Sequence, residues 1–294
     1  MANTMTNMQS RIFAEAVVEA NGAILTNISA FTLGLNKEAG QKGESVRVPI
    51  IDVVAAADFD ADNNNYAGGD HTDEGVDIPL NRHKVAKCRY TDQEFLESPV
   101  NYWEKKGRQC VRGLGKAVVT DVFGLIGNDF TKKAELALAE FNVDKVTGLV
   151  TLAEENDIDP SECTLTLQGV YFSKLLAGLD TAKFGGDEAI RKGVIPELYG
   201  FRQIVRAPLL KSANAALAGF ISLPQSIGVG FRYCEPQSKK AYEEVGQAYD
   251  ENAGFLYGIR RFGEASTGRN HLAVEALYGA KAIDKKALIR LLAA

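Results

Sequence analysis

Two stretches of strict alternation stand near the start of the chain. Val46, Val48 and Ile50 alternate with Ser45, Arg47 and Pro49, and Val76, Ile78 and Leu80 alternate with Asp77, Pro79 and Asn81. A period of two predicts two half-buried strands. The stretch between them is too long for a tight hairpin and carries Asp52, Asp58, Asp60, Asp62, Asp70, Asp73 and Glu74 without a Lys or Arg. The sign then reverses at Arg82, Lys84, Lys87 and Arg89. A long structureless excursion inside a compact domain counts against compactness, so the reading is an arm projecting from the body. Opposite charges on its tip and base suit contacts between neighbouring copies, with Asp58, Asp60, Asp62, Asp70, Asp73, Glu74, Arg82, Lys84, Lys87 and Arg89 as the candidate contact residues. The plain alternative is an acidic solvated loop over a basic strand.

The period then changes. Ser98-Pro99 reads as an N-cap followed by proline at the first helical position, with Glu104 near the positive end. Trp103, Cys110, Leu114, Val118, Val122, Leu125, Ile126 and Phe130 recur mostly three or four apart, which predicts one helix of about 45 Å with a single apolar stripe. Gly107, Gly113, Gly115, Gly124 and Gly127 lie within it; each costs roughly 1 kcal/mol relative to alanine in a helix interior. Tertiary packing must therefore hold this helix. Before the ribbon, Ile12, Ala16, Val17 and Ala20 share one helical face with Ser10 as a cap, a segment with too little apolar surface to stand alone. It reads as a docked terminal helix or an intersubunit arm.

After the long helix the elements are short. The pattern predicts a helix near Leu149 to Asn156, a strand over Thr164 to Leu167, a helix near Val170 to Leu179, and strands around Arg202 to Val205, Gly219 to Ser222 and Ile227 to Tyr233. Glu235 to Asn252 is charged and reads as a surface loop or short exposed helix. Alternation returns at Phe255, Tyr257 and Ile259, then at Leu272, Val274, Ala276 and Tyr278, with turn signals at Gly263 and Gly268. A final apolar stretch, Ala287 to Leu292, closes the chain.

Composition adds bounds. With 294 residues, 46% of them hydrophobic, a sizeable core is possible, and a net charge of −5 argues against a surface given over wholly to nucleic acid. Cys88, Cys110, Cys163 and Cys234 form no CxxC pair, which fits free thiols in a reduced compartment. No signal peptide and no membrane-spanning apolar run is visible. Asp58, Asp60, Asp62 and Asn64 begin like an EF-hand loop, but Asn63 and Gly69 stand where its glycine and closing glutamate belong. Gly113-Leu114-Gly115-Lys116 lacks the spacing and the hydroxyl of a phosphate loop, and His71, His83 and His271 have no nucleophile signature beside them. No catalytic, cofactor or metal site is expected. Trp103 reads as a core anchor of the long helix. An enzyme assembled from unmarked residues, and a calcium-dependent adhesion or tail component, remain as alternatives from other classes.

The order of a terminal arm, a projecting ribbon, one long helix, an α/β patch and a return to strands resembles the tailed-phage coat fold of the Hong Kong phage type, also used by encapsulins. Gly43-Glu44-Ser45-Val46-Arg47-Val48-Pro49 looks like the start of its extended loop, and Thr91-Asp92-Gln93-Glu94 like the junction before its spine helix. Glu197-Leu198-Tyr199-Gly200-Phe201-Arg202, Ala218-Gly219-Phe220 and Ile227-Gly228-Val229 resemble its axial strands. The resemblance implies an α+β fold with an N-arm over 1–42, an extended loop over 43–92, a peripheral domain over 93–148 with a spine helix over Ser98 to Lys133, an axial domain over 149–254 and returning peripheral strands over 255–294. It also implies a shell subunit that is not an enzyme, a major capsid protein assembled in the host cytoplasm and residing in the virion. Its partners would be other copies in hexamers and pentamers, portal, scaffolding and decoration proteins, and packaged dsDNA held by non-specific contact, with no membrane. An encapsulin-like compartment is the nearest alternative.

Overall fold

The computed structural model describes residues 28, 30–35, 45–50, 74–97, 102–179, 194–238, 241–250, 255–264 and 266–294. The terminal helix expected around Ile12 to Ala20, the Ser98-Pro99 cap and the acidic stretch from Asp52 to Asp73 lie outside them. Strand β1 (Thr32–Gly34) is followed by β2 (Ser45–Ile50) and β3 (Glu74–Pro79), then β4 (Arg82–Thr91), helix α1 (Asp92–Glu97) and the long helix α2 (Tyr102–Asn128). Next come β5 (Lys133–Leu136), α3 (Val143–Glu154), β6 (Thr164–Gln168), α4 (Gly169–Gly178), β7 (Val194–Leu198), β8 (Phe201–Ala207) and α5 (Leu210–Ala213). The chain closes with β9 (Leu217–Ser222), β10 (Ile227–Arg232), β11 (Glu244–Asp250), β12 (Phe255–Glu264), β13 (Arg269–Ala282) and β14 (Leu288–Ala293).

Two six-stranded sheets organise these elements, with β2 and β3 forming a separate ribbon. In the first sheet the 14-residue strand β13 is the spine. Along one edge it pairs with β4, from Arg269↔Thr91 to Tyr278↔Arg82. Along the other it pairs first with β12 and then with β10, while β11 and β1 extend the sheet outward. Residues Leu272, Val274, Ala276 and Tyr278 all point to one side by the strand period, and α2 covers that side with Val111, Leu114, Val118, Val122 and Ile126. The expected stripe is thus the buried face of α2. The helix ends at Asn128; Lys133, expected as the last spine residue, instead opens β5.

The second sheet runs β5-β14-β9-β6-β8-β7. Helices α3 and α4 pack on it around Val146, Leu149, Phe172 and Leu175. Asn142 caps α3 by accepting from the amide of Lys145 at 3.0 Å, so this helix starts well before the expected Leu149. The β7–β8 hairpin turns through Tyr199 and Gly200 at φ 50° and 87°, the pair of left-handed residues that a two-residue turn of matching twist needs. Phe31, Phe123 and Phe220 meet with ring centroids 4.9–6.1 Å apart, joining the segment before β1, helix α2 and the second sheet. Arg290 of β14 donates to the Gly127 carbonyl in the last turn of α2.

Strand β4 hydrogen-bonds to β13, β10 and β11 lie in the first sheet through β13 and β12, and β14 completes the second sheet. Periodicity identifies a strand, but its partner is chosen by tertiary packing. The charged segment from Glu235 to Asn252 contains strand β11 instead of a loop or helix, an edge strand whose charged and polar positions hide its period. Of the two turn signals, Gly268 occupies a turn at φ 60°, whereas Gly263 lies inside β12.

Candidate assembly interface

Strands β2 and β3 pair antiparallel in the register Val46↔Ile78 and Val48↔Val76, the pairing that the alternation demands. Their inward residues Val46, Val48 and Ile78 bury themselves against Leu35 and Ile283. The base of this ribbon rests on two glycines of the first sheet. A Cβ on Gly279 would lie 2.2 Å from the Pro79 carbonyl oxygen, and one on Gly228 would lie 2.4 Å from Cδ1 of Ile78. Lys281 clamps the base by donating to the Asp77 carbonyl at 3.0 Å. Among the described residues the ribbon pairs with no third strand. A two-stranded ribbon is marginal alone.

The four basic candidates on β4 separate into two faces, because residues 82 and 84 point one way and 87 and 89 the other. Arg82 and Lys84 face α2 and converge on Asp121, at 3.5 and 2.7 Å, where Tyr278 also donates its hydroxyl at 2.5 Å. Burial pushes the Asp121 carboxyl upward, but the hydrogen bonds from Lys84 and Tyr278 and the two cations outweigh it and hold the group below its ordinary value. Burial and the Asp121 carboxylate push the Tyr278 phenol up. These two cations are committed within the subunit.

Lys87 and Arg89 point to the opposite, outer face. Register builds a grid there: Phe262, His271 and Arg89 form one row, Arg260, Ala273 and Lys87 the next, and Gly258, Glu275 and Val85 a third. Lys87 sits 5.1 Å from the Phe262 ring centroid. Glu275, nearly buried, contacts Arg260 at 2.5 Å and His83 at 3.2 Å. Arg260 also donates to the Tyr242 hydroxyl at 3.1 Å and the Cys234 carbonyl at 2.8 Å. Together Val85, Lys87, Tyr242, Arg260, Phe262 and Glu275 line a shallow open groove. Because β13 is regular, Gly279 and Lys281 under the ribbon continue the same face.

Asp58, Asp60, Asp62, Asp70 and Asp73 lie outside the described residues, and Glu74 is the first residue of β3. Sequence reading missed Asp121, Arg260 and Glu275. Asp121 is one acid on a long polar face, and Glu275 falls on the positions of β13 that alternation assigns to solvent. Thr91-Asp92-Gln93-Glu94 did carry a readable signal. The Thr91 hydroxyl accepts from the Glu94 amide at 3.2 Å and Glu94 accepts from the Thr91 amide at 3.0 Å, a reciprocal cap that starts α1.

No family model matches the chain, and no curated protein matches its sequence. Solved structures do. The capsid structure of the cyanophage P-SCSP1u aligns with a TM-score of 0.62 at 12% identity, covering 90% of this chain and 86% of that one. The capsid of a native GTA particle aligns at 0.62 and 10% identity, covering 92% and 90%. A virus-like particle from Pyrococcus furiosus aligns at 0.55 and 13% identity, covering 94% and 96%. At these identities the likeness is one of fold: the chain has the Hong Kong phage-type capsid fold.

Proposed function

We propose that this chain is the major capsid protein of a tailed phage, self-assembling through hexamers and pentamers into an icosahedral head around dsDNA. The observation that carries the reading is the likeness to the cyanophage capsid, which covers 90% of this chain and 86% of that one. The ribbon supports it, because a strand pair with a small core needs neighbours. So does the outer face. The acidic stretch Asp58 to Glu74 of one copy would meet the Lys87 and Arg89 side of the next, a charge-steered heterologous contact of the kind that closes into rings. Arg82 and Lys84 serve the subunit's own Asp121 and are not part of that contact.

On this reading the protein is not an enzyme, is assembled in the host cytoplasm and resides in the virion. Portal, scaffolding and decoration proteins would be its other partners, and DNA would be held without sequence preference. Electron microscopy of the protein expressed with its genomic neighbours tests the reading: closed shells are expected, and persistent monomers under every condition refute it. Charge reversal at Lys87 and Arg89 should block assembly while leaving the monomer folded. The likeness to the Pyrococcus furiosus particle favours one second reading, an encapsulin-like compartment. Particles from the native source would hold nuclease-protected dsDNA in the first case and a protein cargo in the second.

A further inference from the structure

Strand β4 and helix α2 run antiparallel and touch along a line. Towards one end, Lys84 reaches Asp121 at 2.7 Å and donates to the Ala117 carbonyl at 3.4 Å. Towards the other, Lys106 donates to the Arg89 carbonyl at 3.5 Å. Residues 106, 110, 117 and 121 share one face of a 3.6-residue helix, and 82, 84, 86 and 88 share one face of a strand. The flanking contacts therefore bring Cys88 opposite Cys110. Both thiols are free and partly exposed beside the same core, and each shifts the other's titration through a side-chain hydrogen bond.

A hydrogen bond between the two sulfurs and the nearby Lys106 ammonium favour a thiolate on one member of the pair, with burial opposing. One sulfur of the pair is thus the nucleophile and the other resolves the reaction. Cys163 offers a contrast within the chain: burial pushes its thiol up to about 12.

We propose that Cys88 and Cys110 are a redox-sensitive pair that reacts with a low-molecular-weight disulfide, such as oxidised glutathione, to form an intrachain bond stapling β4 to α2. The thiolate of one cysteine attacks one glutathione sulfur, forming a mixed disulfide and expelling the first glutathione thiolate. The other cysteine gives its proton to that thiolate, attacks the protein sulfur of the mixed disulfide and expels the second. Two protein thiols are oxidised to a disulfide and one glutathione disulfide is reduced to two thiols, so electrons and protons balance. The bond would form when the protein passes from a reducing cell interior to an oxidising medium. It constrains the chain between the two cysteines in the unfolded state and ties α2 to the sheet in the folded one. The inference stands on the β4–α2 contact alone and holds whether or not the chain builds a shell.

Purified full-length protein is reduced, freed of reductant, incubated with oxidised glutathione near neutral pH, acid-quenched and alkylated. Intact mass and non-reducing peptide mapping then read the products. The expected result is loss of two hydrogens, one linked Cys88–Cys110 peptide pair, alkylated Cys163 and Cys234, and a melting temperature raised by several degrees that dithiothreitol returns to its starting value. Cys88→Ser is expected to stop at a stable glutathione adduct on Cys110. An adduct persisting on Cys110 in the unsubstituted protein, a link to Cys234 or to a second chain, or unreacted thiols at both positions overturns the proposal.

Discussion

Replacing Gly279 with alanine tests how the ribbon is seated. The new Cβ would lie 2.2 Å from the Pro79 carbonyl oxygen, 2.9 Å from its carbon and 3.3 Å from Cγ2 of Ile78. Even a weak C–H···O contact needs about 3.3 Å, so the overlap with the main chain is on the order of 1 Å. Pro79 ends β3, with only Leu80 and Asn81 between it and β4, and a backbone held between two strands cannot step aside as a side chain can. Overpacking of this kind costs ~1–3 kcal/mol, and lifting the ribbon base to relieve it exposes Ile78, at a further ~1.5–3 kcal/mol. A combined loss of ~2.5–6 kcal/mol lowers the melting temperature by roughly 4–10 °C at an unfolding entropy of ~2.1 cal/mol/K per residue. The control is Gly228→Ala, whose nearest contacts are side-chain atoms rather than backbone: Cδ1 of Ile78 at 2.4 Å and Cδ1 and Cγ1 of Ile283 at 2.7 and 3.0 Å. Thermal melts of both variants should show the larger fall at position 279. A Gly279→Ala protein that melts like the unsubstituted one, or falls less than Gly228→Ala, refutes the seating argument.

Other outcomes follow from the same contacts. Glu275→Ala leaves the partly buried Arg260 guanidinium without its counter-charge, though still bonded to Tyr242 and Cys234, and should cost about 1–3 kcal/mol in denaturant unfolding, less than a fully buried pair; replacing both residues with methionine should recover much of the loss. Asp121 is held below its ordinary value, so its contribution is present above the unfolded carboxylate pKa and is lost as pH falls through the lowered one. Asp121→Asn should therefore destabilise at neutral pH and flatten the acid limb of a stability-versus-pH curve. Gly113 and Gly124 lie in the interior of α2 with open space where a Cβ would go; alanine at each should add up to about 1 kcal/mol, read as a rise in melting temperature.

What the sequence shows of this fold is what one period can carry. The ribbon register, the buried stripe of α2 and the strand faces of β12 and β13 all follow from alternation or 3.6-residue recurrence. Partner choice does not. Nothing in Ile227 to Arg232 or Leu288 to Ala293 says which sheet each will join, because both are mostly apolar strands with one arginine apiece, suited to either. Charge was legible only as composition. Arg82, Lys84, Lys87 and Arg89 read as one basic run, yet a strand sends alternate side chains to opposite faces, so two of the four meet Asp121 and two face outward. Their parity gave the split; what each face would meet depended on α2 and β13, far along the chain. Burial of Glu275 was illegible for the same reason, since Tyr242 and Arg260 cover it from other elements.

The unequal anchoring of the parts bears on how one chain could occupy different places in a shell. Helix α2 is fixed to the first sheet by a continuous apolar seam and by the Asp121 cluster. The ribbon is fixed by a small core of Leu35, Val46, Val48, Ile78 and Ile283 and by one lysine clamp. Among the described residues Leu35, Val46, Val48, Ile78 and Ile283 form the core between ribbon and body, so changing the ribbon's tilt puts at risk at most roughly 8–15 kcal/mol at the usual value per buried aliphatic side chain. Moving α2 would expose several times as many. A heterologous interface of standard size can offset the smaller cost and not the larger. We therefore expect subunits around fivefold and sixfold positions to differ in ribbon tilt while keeping the Lys84–Asp121 contact. A particle reconstruction with independent subunits reads this directly: a constant ribbon beside a shifted α2 would reverse the argument.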